Sequence, residues 1–325
     1  MSINNIKLDN FTVFEKIDIN FTNGVNVIIG ENGSGKSHLM KVMYILSKSE
    51  GSGEKFKCIN DYFNTTIDDV FRNKRHESTF LSIDLNSTII EINLIIGNSI
   101  ELKGNKGENL NSVPTFIPAK DMLTHSKGFL PMYDKFELPF DKTCYDIISK
   151  SLLPNLKKIP VIGETILPKI EHIIEGKVIV ENDTFFIEKN NGDKVVFSME
   201  AEGIKKIAIL WQLIMNESIA KGSVLFWDEP EANINPSLYK DVAEILLELS
   251  RNDVQIFIAT HNYNFAKYIE VLSKESDNAL YHSLYKTDHG VKCETETKFT
   301  LLSNNALRED NINLYDEEMK KEFEE

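Results

Sequence analysis

The segment Gly30–Ser37 restricts the fold of this chain more than any other part of the sequence. It reads Gly-Glu-Asn-Gly-Ser-Gly-Lys-Ser and matches the pattern G-x-x-x-x-G-K-[ST]. Glycines in such a loop let backbone N–H groups turn inward around phosphate oxygens, while Lys36 reaches the β and γ phosphates and the Ser37 hydroxyl ligates magnesium. The residues predicted to bind the nucleotide are Asn32, Gly33, Ser34, Gly35, Lys36 and Ser37. The segment therefore predicts a site for a nucleoside triphosphate with Mg²⁺.

The residues on either side of this loop predict a strand and a helix. Val25–Ile29 is a short β-branched run that ends at Gly30, and beyond Lys36 apolar residues recur at helical spacing, namely Leu39, Val42, Met43 and Leu46. A strand, a glycine loop and a helix in this order are the context in which the motif binds phosphate. A simple glycine-rich turn is the alternative, and the flanking pattern disfavours it.

A second element places two acids at the end of an apolar run. Val224–Trp227 is followed by Asp228 and Glu229, and then by Pro230, which ends the strand. Four apolar residues are typical of a buried parallel strand, and open α/β sheets bind ligands at the carboxyl ends of such strands. We predict that Asp228 holds the magnesium ion and that Glu229 orients and deprotonates the attacking water, because one carboxylate does not easily serve both. A solvated acidic strand end is the alternative.

Helices and apolar strands alternate in the last third of the chain. The predicted elements are a helix from Glu202 to about Ile219, a strand over Val224–Trp227, a helix over Pro236–Leu249, a strand over Gln255–Ala259 and a helix from Tyr263. Repeated α/β units imply a largely parallel sheet. The fold class is therefore α/β with a mostly parallel central sheet.

Other patterns predict smaller subdomains beside this sheet. Period-two alternation predicts hairpin strands over 6–21, an antiparallel meander over Thr79–Leu102 and a strand over Val113–Ile117. The proline-rich interval from Met122 to about Ile174 predicts several short helices in a lobe of their own. Two turn-rich segments complete the organisation: a hairpin over Lys177–Phe197 that turns at Asn190–Gly192, and a polar surface loop over Ser47–Glu54.

The two acids begin a longer series that resembles a known family. Asp228-Glu229 is followed by Pro230-Glu231-Ala232-Asn233-Ile234-Asn235-Pro236, and the next predicted strand leads to Thr260-His261. This order and spacing resemble the Walker B, D-loop and switch-histidine series of ABC-type ATPases, most closely those of the SMC, RecF and OLD-like branch. The resemblance implies a P-loop NTPase with an ABC-ATPase-like head and ATP as its nucleotide. It also implies that Asn233 communicates across a dimer and that His261 senses the γ-phosphate in catalysis.

The family's signature motif is expected at a helix start shortly before the Walker B strand. The candidate is Ser198–Lys206, which departs from the family pattern because the usual serine-glycine-glycine core is missing. Gly203 is its one glycine, and the serine either lies upstream at Ser198 or is replaced by Ala201. A helix amino terminus can still cap a γ-phosphate of the opposite subunit, so Gly203 is predicted to bind nucleotide. An ordinary helix start, with Glu202 favouring the helix dipole, is the alternative.

The family's metal- and water-contacting loop is expected after a strand, near Phe116–Asp121. This segment contains no glutamine, so Lys120 or Asp121 is its predicted substitute. A simple strand-to-helix turn is the alternative. With these assignments, the chain divides into an N-terminal ATPase lobe (1–120), a helical and β insert lobe (121–200) and a C-terminal ATPase lobe (201–325).

Charge and cysteine content restrict the partners and the compartment. The 36 Lys and Arg residues against 50 Asp and Glu residues give a net charge of −14, which excludes a uniformly basic nucleic-acid coat. The best local basic group comprises Arg72, Lys74 and Arg75 with Lys55 and Lys57, and a solvated face is favoured there over phosphate binding. The three cysteines lack the spacing of zinc sites and the even count of a disulfide framework, which predicts a reducing compartment.

The amino terminus and the tail give further expectations. The first residues alternate where a signal peptide would be continuously apolar, and no apolar run approaches the roughly 20 residues of a membrane span. We therefore expect a cytoplasmic protein with no membrane association. The acidic tail Arg308–Glu325, with Leu314, Met319 and Phe323 as apolar anchors, predicts a terminal helix, for which packing against its own chain is favoured over docking on a partner.

The leading functional prediction is a stand-alone ABC-type ATPase. Residues 38–197 are too few for long coiled-coil arms, and residues 262–325 show no acidic metal cluster like that of a nuclease domain. The resemblance implies a Mg-dependent ATP phosphohydrolase that forms a homodimer, or a higher oligomer, around sandwiched ATP and reopens on hydrolysis. Similarity to ATPases of bacterial antiphage systems implies that this switch gates a separate effector protein, a nuclease or a toxin.

Two other classes compete with this prediction. The first is a RecF/SMC-like repair ATPase whose dimer grips duplex DNA, which makes nucleic acid a second candidate partner. The net charge disfavours it unless Arg72, Lys74 and Arg75 line one groove. The other class is the nucleotide-binding subunit of a membrane transporter, which the degenerate signature and the large insert between Lys48 and Met199 disfavour.

Overall fold

The computed structural model describes residues 1–48, 54–76, 78–95, 99–104, 114–136 and 138–324, and three β-sheets organise this part of the chain. The strands are β1 (Ile3–Phe11), β2 (Phe14–Asn20), β3 (Val25–Gly30), β4 (Ser78–Leu85), β5 (Thr88–Ile95), β6 (Ser99–Gly104), β7 (Thr115–Ile117), β8 (Gly176–Glu181), β9 (Thr184–Lys189), β10 (Lys194–Val196), β11 (Val224–Asp228), β12 (Gln255–Thr260), β13 (Leu280–Thr287) and β14 (Gly290–Glu296). The α-helices are α1 (Lys36–Ser47), α2 (Glu54–Phe63), α3 (Phe129–Lys135), α4 (Lys142–Ser151), α5 (Gly163–Ile174), α6 (Glu202–Met215), α7 (Tyr239–Arg251), α8 (Tyr263–Leu272) and α9 (Ala306–Glu324). Within the described ranges, none of the helices combines the length and the apolar character that crossing a membrane requires.

A six-stranded sheet brings distant segments of the chain to one edge. Its order is β14-β13-β3-β12-β11-β7, and neighbouring strands run parallel except β14, which is antiparallel to β13. The register pairs Ile29 with Thr260 and Ala259 with Asp228, so β3, β12 and β11 end side by side. Because parallel strands share a carboxyl edge, the phosphate loop, the two acids and His261 all leave the sheet at the same place.

The inner strands of this sheet are covered on both faces. On β12, Phe257 enters a hydrophobic core with α1 and the antiparallel strands, whereas Ile256 and Ile258 enter a second core with helices α4 to α8. Successive strand residues point to opposite faces, so both sets must be apolar. This two-sided burial explains why β3, β11 and β12 consist mostly of apolar residues.

The predicted antiparallel β subdomain is a five-stranded sheet of order β2-β1-β4-β5-β6. The expected hairpin over 6–21 corresponds to β1 and β2, whose register pairs Leu8 with Ile17. The expected meander corresponds to β4, β5 and β6, and the strand expected over Val113–Ile117 is described from Thr115 as β7. Residues 49–53 of the predicted surface loop lie outside the described residues.

The insert region (121–200) contains the predicted short helices. Its sheet also contains one β-turn that the sequence did not predict. Helices α3, α4 and α5 are followed by a three-stranded sheet of order β10-β9-β8. The expected turn at Asn190–Gly192 joins β9 to β10. A second turn joins β8 to β9 at Asn182 and Asp183, with φ values of 52° and 59°, a left-handed conformation that Asn and Asp tolerate.

The carboxy-terminal helix α9 differs from the expectation that the tail packs against its own chain through three apolar anchors. Leu314 on α9 is 62% exposed and Tyr315 is 60% exposed, while Met319 is partly buried. The expectation that Leu314 anchors the tail against its own chain is therefore wrong. Apolar side chains are sparse on α9, so the helix lacks the continuous apolar stripe that would make burial favourable.

Candidate functional site

The phosphate loop joins β3 to α1 and turns through three glycines. Gly30, Gly33 and Gly35 have φ values of 149°, 76° and 91°. Gly35 precedes the first residue of α1, and a Cβ there would lie 2.5 Å from Cγ2 of Val13 and 2.8 Å from Cζ of Phe14. Glycine is required at this position because of its left-handed backbone and because the β1–β2 hairpin packs directly on the loop.

Lys36 is a buried cation that bonds to its own loop. Its Nζ donates to the carbonyl of Gly30 at 2.7 Å and to the carbonyl of Glu31 at 3.0 Å. Burial lowers the pKa of Lys36 below its usual value, and the carboxylate of Asp228 opposes that shift. The ammonium group is thus held at the rim of the loop, near the negative side chains that follow β11.

Ser37 and Asp228 form the pair of oxygen ligands that a hard cation prefers. The Ser37 hydroxyl donates to Oδ2 of Asp228 at 2.7 Å. The other carboxylate oxygen, Oδ1, is buried and has no hydrogen-bond partner among the described residues, and burial raises the pKa of Asp228. In the described part of the chain no group of three or more His, Cys, Asp and Glu side chains could hold a metal ion. One carboxylate and one hydroxyl instead fit Mg²⁺, which fills its shell with water and substrate phosphates.

Glu229 and His261 form an acid–base pair at the same edge. Nδ1 of His261 lies 3.2 Å from Oε1 of Glu229, and both side chains are partly exposed. Glu229 has a φ of 48°, which is uncommon for a residue with a side chain. Its N–H donates to the carbonyl of Ala259 at 2.9 Å, and its own carbonyl accepts from Nζ of Lys206 at 2.9 Å. These two backbone bonds fix the direction in which the carboxylate leaves the strand.

A third carboxylate, Glu231, lies beneath this pair and was not assigned a role from the sequence. It is 3% exposed, and the hydroxyl of Thr260 donates to its Oε1 at 2.6 Å. Burial raises the pKa of Glu231. The hydrogen bond ties the turn after β11 to the residue that immediately precedes His261. The sequence signal was one more acid directly after Pro230 in a turn rich in polar residues, which spacing alone does not interpret.

The start of α6 contains two buried lysines that the sequence left uninterpreted. Lys206 is 1% exposed, and burial lowers its pKa while the nearby carboxylates, Glu231 foremost, oppose that shift. For Lys205, burial alone would lower the pKa, but Glu202 and Asp121 outweigh it and raise the pKa. Nζ of Lys205 lies 3.3 Å from Oδ2 of Asp121, and both side chains are at most 5% exposed. Both lysines are therefore part of the internal structure around the site.

The signature candidate and the D-loop residue meet within one chain. A Cβ on Gly203 would lie 3.0 Å from Cα of Ile234 and 3.1 Å from the carbonyl oxygen of Asn233. Glycine at 203 is thus needed for packing against the D-loop turn, where Asn233 is exposed and has a φ of 62°. Ala201 occupies the position before the first helical residue and Ser198 lies earlier, in a short 3₁₀ turn. Both alternatives for the missing serine, Ser198 and Ala201, stay predictions.

The segment expected to contact metal and water follows β7, next to β11. Asp121 accepts from the N–H of Leu123 at 3.0 Å and pairs with Lys205, so its carboxylate is occupied by a turn and by α6. Lys120 is exposed. Of the two predicted substitutes for the glutamine, Lys120 is the one that the structure leaves exposed.

Two members of the basic group make contacts within the chain. Arg72 donates to the carbonyl of Val13 at 2.8 Å, and Lys74 pairs with Asp69 at 2.9 Å. Arg75 is exposed. The other two members lie on α2, and their side chains are outside the described residues. Of the described members, Lys74 is thus paired with an acid, whereas Arg72 and Arg75 keep their charge at the surface.

A family model described as "AAA domain, putative AbiEii toxin, Type IV TA system" matches residues 131–266. This range includes α6, the two acids, the D-loop and His261. Among curated proteins, the chain is similar to the DNA replication and repair protein RecF of Bacillus thuringiensis (strain Al Hakam) and of Bacillus cereus (strain B4264). Each match is 44% identical over 50 residues, which is 15% of this chain and only 13% of RecF.

Solved SMC heads match nearly the whole chain in structure. The SMC head domain from Thermotoga maritima is 14% identical, with a TM-score of 0.55 over 91% of this chain and 99% of that one. An SmcHead bound to the C-winged helix domain of ScpA is 15% identical, with a TM-score of 0.60 over 91% of this chain and 98% of that one. The α/β fold class with an ABC-ATPase-like head is confirmed, as is the resemblance to the SMC and RecF branch.

Proposed function

We propose that this chain is an ATP-binding and ATP-hydrolysing switch of the ABC type that dimerises on ATP and gates a separately encoded effector. The observation that carries the proposal is that β3, β11 and β12 end together. Their ends bring Ser37 to Asp228 and Glu229 to His261, beside the buried ammonium of Lys36. A phosphoryl-transfer site needs such groups: a cation for the phosphates, oxygen ligands for the metal and a base for the nucleophile.

The residues divide the hydrolytic chemistry among them. Lys36 binds phosphate oxygens in place of its loop carbonyls, while Ser37 and Asp228 would hold Mg²⁺, which neutralises phosphate charge when it is bound. Glu229 orients a water molecule and accepts its proton as the water oxygen bonds to the γ-phosphorus and ADP departs. His261 contacts the γ-phosphate and keeps the Glu229 carboxylate in line with it.

The surface beside the catalytic acids supports a head-to-tail dimer. Asn233 is exposed on the D-loop turn, which packs against the start of α6 at Gly203. A second copy that places its phosphate loop over this surface would bring the exposed Asn233 and the start of α6, where Gly203 itself is buried, next to its nucleotide. We propose that each of the two ATP molecules is enclosed in this way, and that hydrolysis reopens the dimer.

The effector and the biological setting are inferred from the relatives. The matching family is described as a putative AbiEii toxin of a type IV toxin–antitoxin system, which supports a role in bacterial antiphage defence. One SMC head of similar fold binds a winged-helix domain of ScpA, which supports a separate protein partner here. We propose a nuclease or toxin as that partner, acting in the cytoplasm.

The Glu229→Gln variant tests the switch. With ATP and magnesium it is expected to elute from size-exclusion chromatography as a larger species, because it binds ATP without hydrolysing it. Turnover is expected to fall about 10²- to 10⁴-fold, the usual contribution of a general base. Glu188→Gln, an exposed residue of β9, is the matched control and should keep wild-type turnover. An unchanged elution volume would contradict the dimer, and a wild-type protein without turnover would contradict the ATPase.

The similarity to RecF favours one second candidate, a DNA-gripping repair ATPase. In that case duplex DNA should stimulate turnover, and replacing Arg72, Lys74 and Arg75 together by Ala should remove the stimulation. Since Lys74 pairs with Asp69 and the chain carries a net charge of −14, we expect no stimulation. Stimulation that the triple variant abolishes would favour the repair ATPase over the effector switch.

A further inference from the structure

A lysine that the sequence analysis did not single out lies against the phosphate loop. Lys286 is near the end of β13, the strand that pairs with β3 and runs beside Gly30. Its Nζ donates to the carbonyl of Asn32 at 2.9 Å and lies 3.7 Å from Oε2 of Glu31. A Cβ on Gly33 would lie 3.8 Å from the same nitrogen. Lys286 therefore contacts the outer turn of the loop from a neighbouring strand.

The ion pair with Glu31 does not account for this placement. The side chains of Lys286 and Glu31 are 53% and 61% exposed, and ion pairs as exposed as this contribute little to stability. The hydrogen bond to Asn32 uses one of the three N–H donors of the ammonium group. The remaining donors and the full positive charge stay at the mouth of the loop.

Two positive charges lie at the phosphate loop, those of Lys36 and Lys286. Lys36 donates to the carbonyls of Gly30 and Glu31, and Lys286 donates to the carbonyl of Asn32, so both ammonium groups lie against the same loop. Two mutually repelling cations on one loop are complementary to a polyanion. The chain carries a net charge of −14, so each positive charge at this loop matters for attracting an anionic ligand.

We propose that Lys286 is a second phosphate-binding lysine of this site. It holds the outer turn of the loop through the carbonyl of Asn32 and adds its charge to the binding of the nucleotide's polyphosphate. The proposal rests on the proposed function, in which the loop binds ATP. A purely structural role, in which Lys286 only neutralises Glu31, makes different predictions.

Equilibrium binding of ATP, measured by displacement of a fluorescent ATP analogue, tests the proposal without turnover. Lys286→Met is expected to weaken ATP binding about tenfold, as loss of one nearby opposite charge would. The loss should be smaller for ADP, and it should shrink at high salt because partly exposed charges are screened. Lys286→Arg should keep most of the affinity. Lys292→Met, an exposed lysine on the adjacent strand β14, is the matched control and should bind like wild type.

A double variant separates the charge role from the structural one. If Lys286 only neutralised Glu31, then Glu31→Gln would restore the affinity lost in Lys286→Met, and that restoration would overturn the proposal. We expect the loss to persist in the Glu31→Gln background. Wild-type affinity in Lys286→Met would also overturn it, provided that Lys36→Met abolishes binding. Failure of the wild-type protein to bind ATP would instead contradict the proposed function. Thermal unfolding without nucleotide checks that every variant is folded.

Discussion

The two sides of the candidate site use their buried polar groups in opposite ways. On the phosphate-loop side, Lys36 donates to loop carbonyls, and Asp228 keeps a buried oxygen without a partner among the described residues. On the α6 side, Lys206 donates to the carbonyl of Glu229, and Lys205 lies between two carboxylates. The first side presents its groups where we propose that the nucleotide and Mg²⁺ bind. The second uses its lysines to hold the turn after β11, although Oε2 of Glu231 there is also buried without a partner among the described residues.

This difference shows how a degenerate signature helix can still serve the site. Lys206 reaches the backbone of Glu229, whose φ of 48° needs support from its neighbours. Gly203 lets the same helix pack on the D-loop turn. Helix α6 therefore positions the proposed catalytic base, Glu229, and the exposed Asn233 together, without a serine at the helix start.

We expect the largest effect on stability when a buried lysine is removed on the α6 side. Lys206→Met should lower the free energy of unfolding by about 3 kcal/mol, because it leaves the buried carboxylate of Glu231 without its nearby positive charge and the Glu229 carbonyl without its donor. Urea unfolding without nucleotide measures the change. Lys36→Met is the counterpart on the phosphate-loop side. It should change stability much less, because its bonds are to loop carbonyls, while it abolishes nucleotide binding.

A double variant identifies the source of the loss. Combining Lys206→Met with Glu231→Gln should recover a large part of the stability, since the carboxylate that lost its compensating charge is gone. Lys240→Met, an exposed lysine of α7 with a side chain 58% exposed, is the control and should unfold like wild type. If Lys206→Met were as stable as wild type, the division between the two sides would not hold.

The sequence predicted the parts of this site whose geometry is local or follows from parallel strands. The loop pattern fixes its own backbone, and strands that run parallel bring their carboxyl ends to one edge. For this reason Ser37 and Asp228, 191 positions apart in sequence, could be expected to meet, and they lie 2.7 Å apart. The role of His261 was instead implied by the resemblance, and its position 3.2 Å from Glu229 was not predicted.

The site residues that the sequence did not predict are those whose contacts depend on which helices and strands pack together. Lys286 contacts the loop because β13 pairs with β3, and no sequence pattern gives that strand order. Lys206 in a helix and Glu231 in a turn are residues that one expects to be exposed. They are buried because α6 packs on the turn after β11. The exposure of α9 was missed for the converse reason: three apolar residues suggested anchors although the helix lacks a continuous apolar face.

The smallest expected effect on the free energy of unfolding is for Asp228, on the phosphate-loop side. Replacing Asp228 by Asn should stabilise the nucleotide-free protein by about 1 kcal/mol at neutral pH, because a buried carboxylate with one unpartnered oxygen is costly to keep ionised. The same variant should lose magnesium-dependent ATP affinity. A gain in stability together with a loss of ATP binding is the result expected if the carboxylate of Asp228 is positioned to bind a ligand.

The pH dependence of this gain distinguishes it from a packing effect. Burial raises the folded-state pKa of Asp228 above the ordinary value of 3.8, so the folded protein holds this proton more tightly than the unfolded chain does. Wild-type stability from this group is therefore lost as the pH rises from the ordinary pKa through the raised one. Asn does not ionise, so the advantage of Asp228→Asn should shrink as the pH falls towards 3.8. Urea unfolding across this range tests the trend, with Asp183→Asn in the exposed β8–β9 turn as control. A gain that is independent of pH would show that the cost of keeping the buried Asp228 carboxylate ionised is not its source.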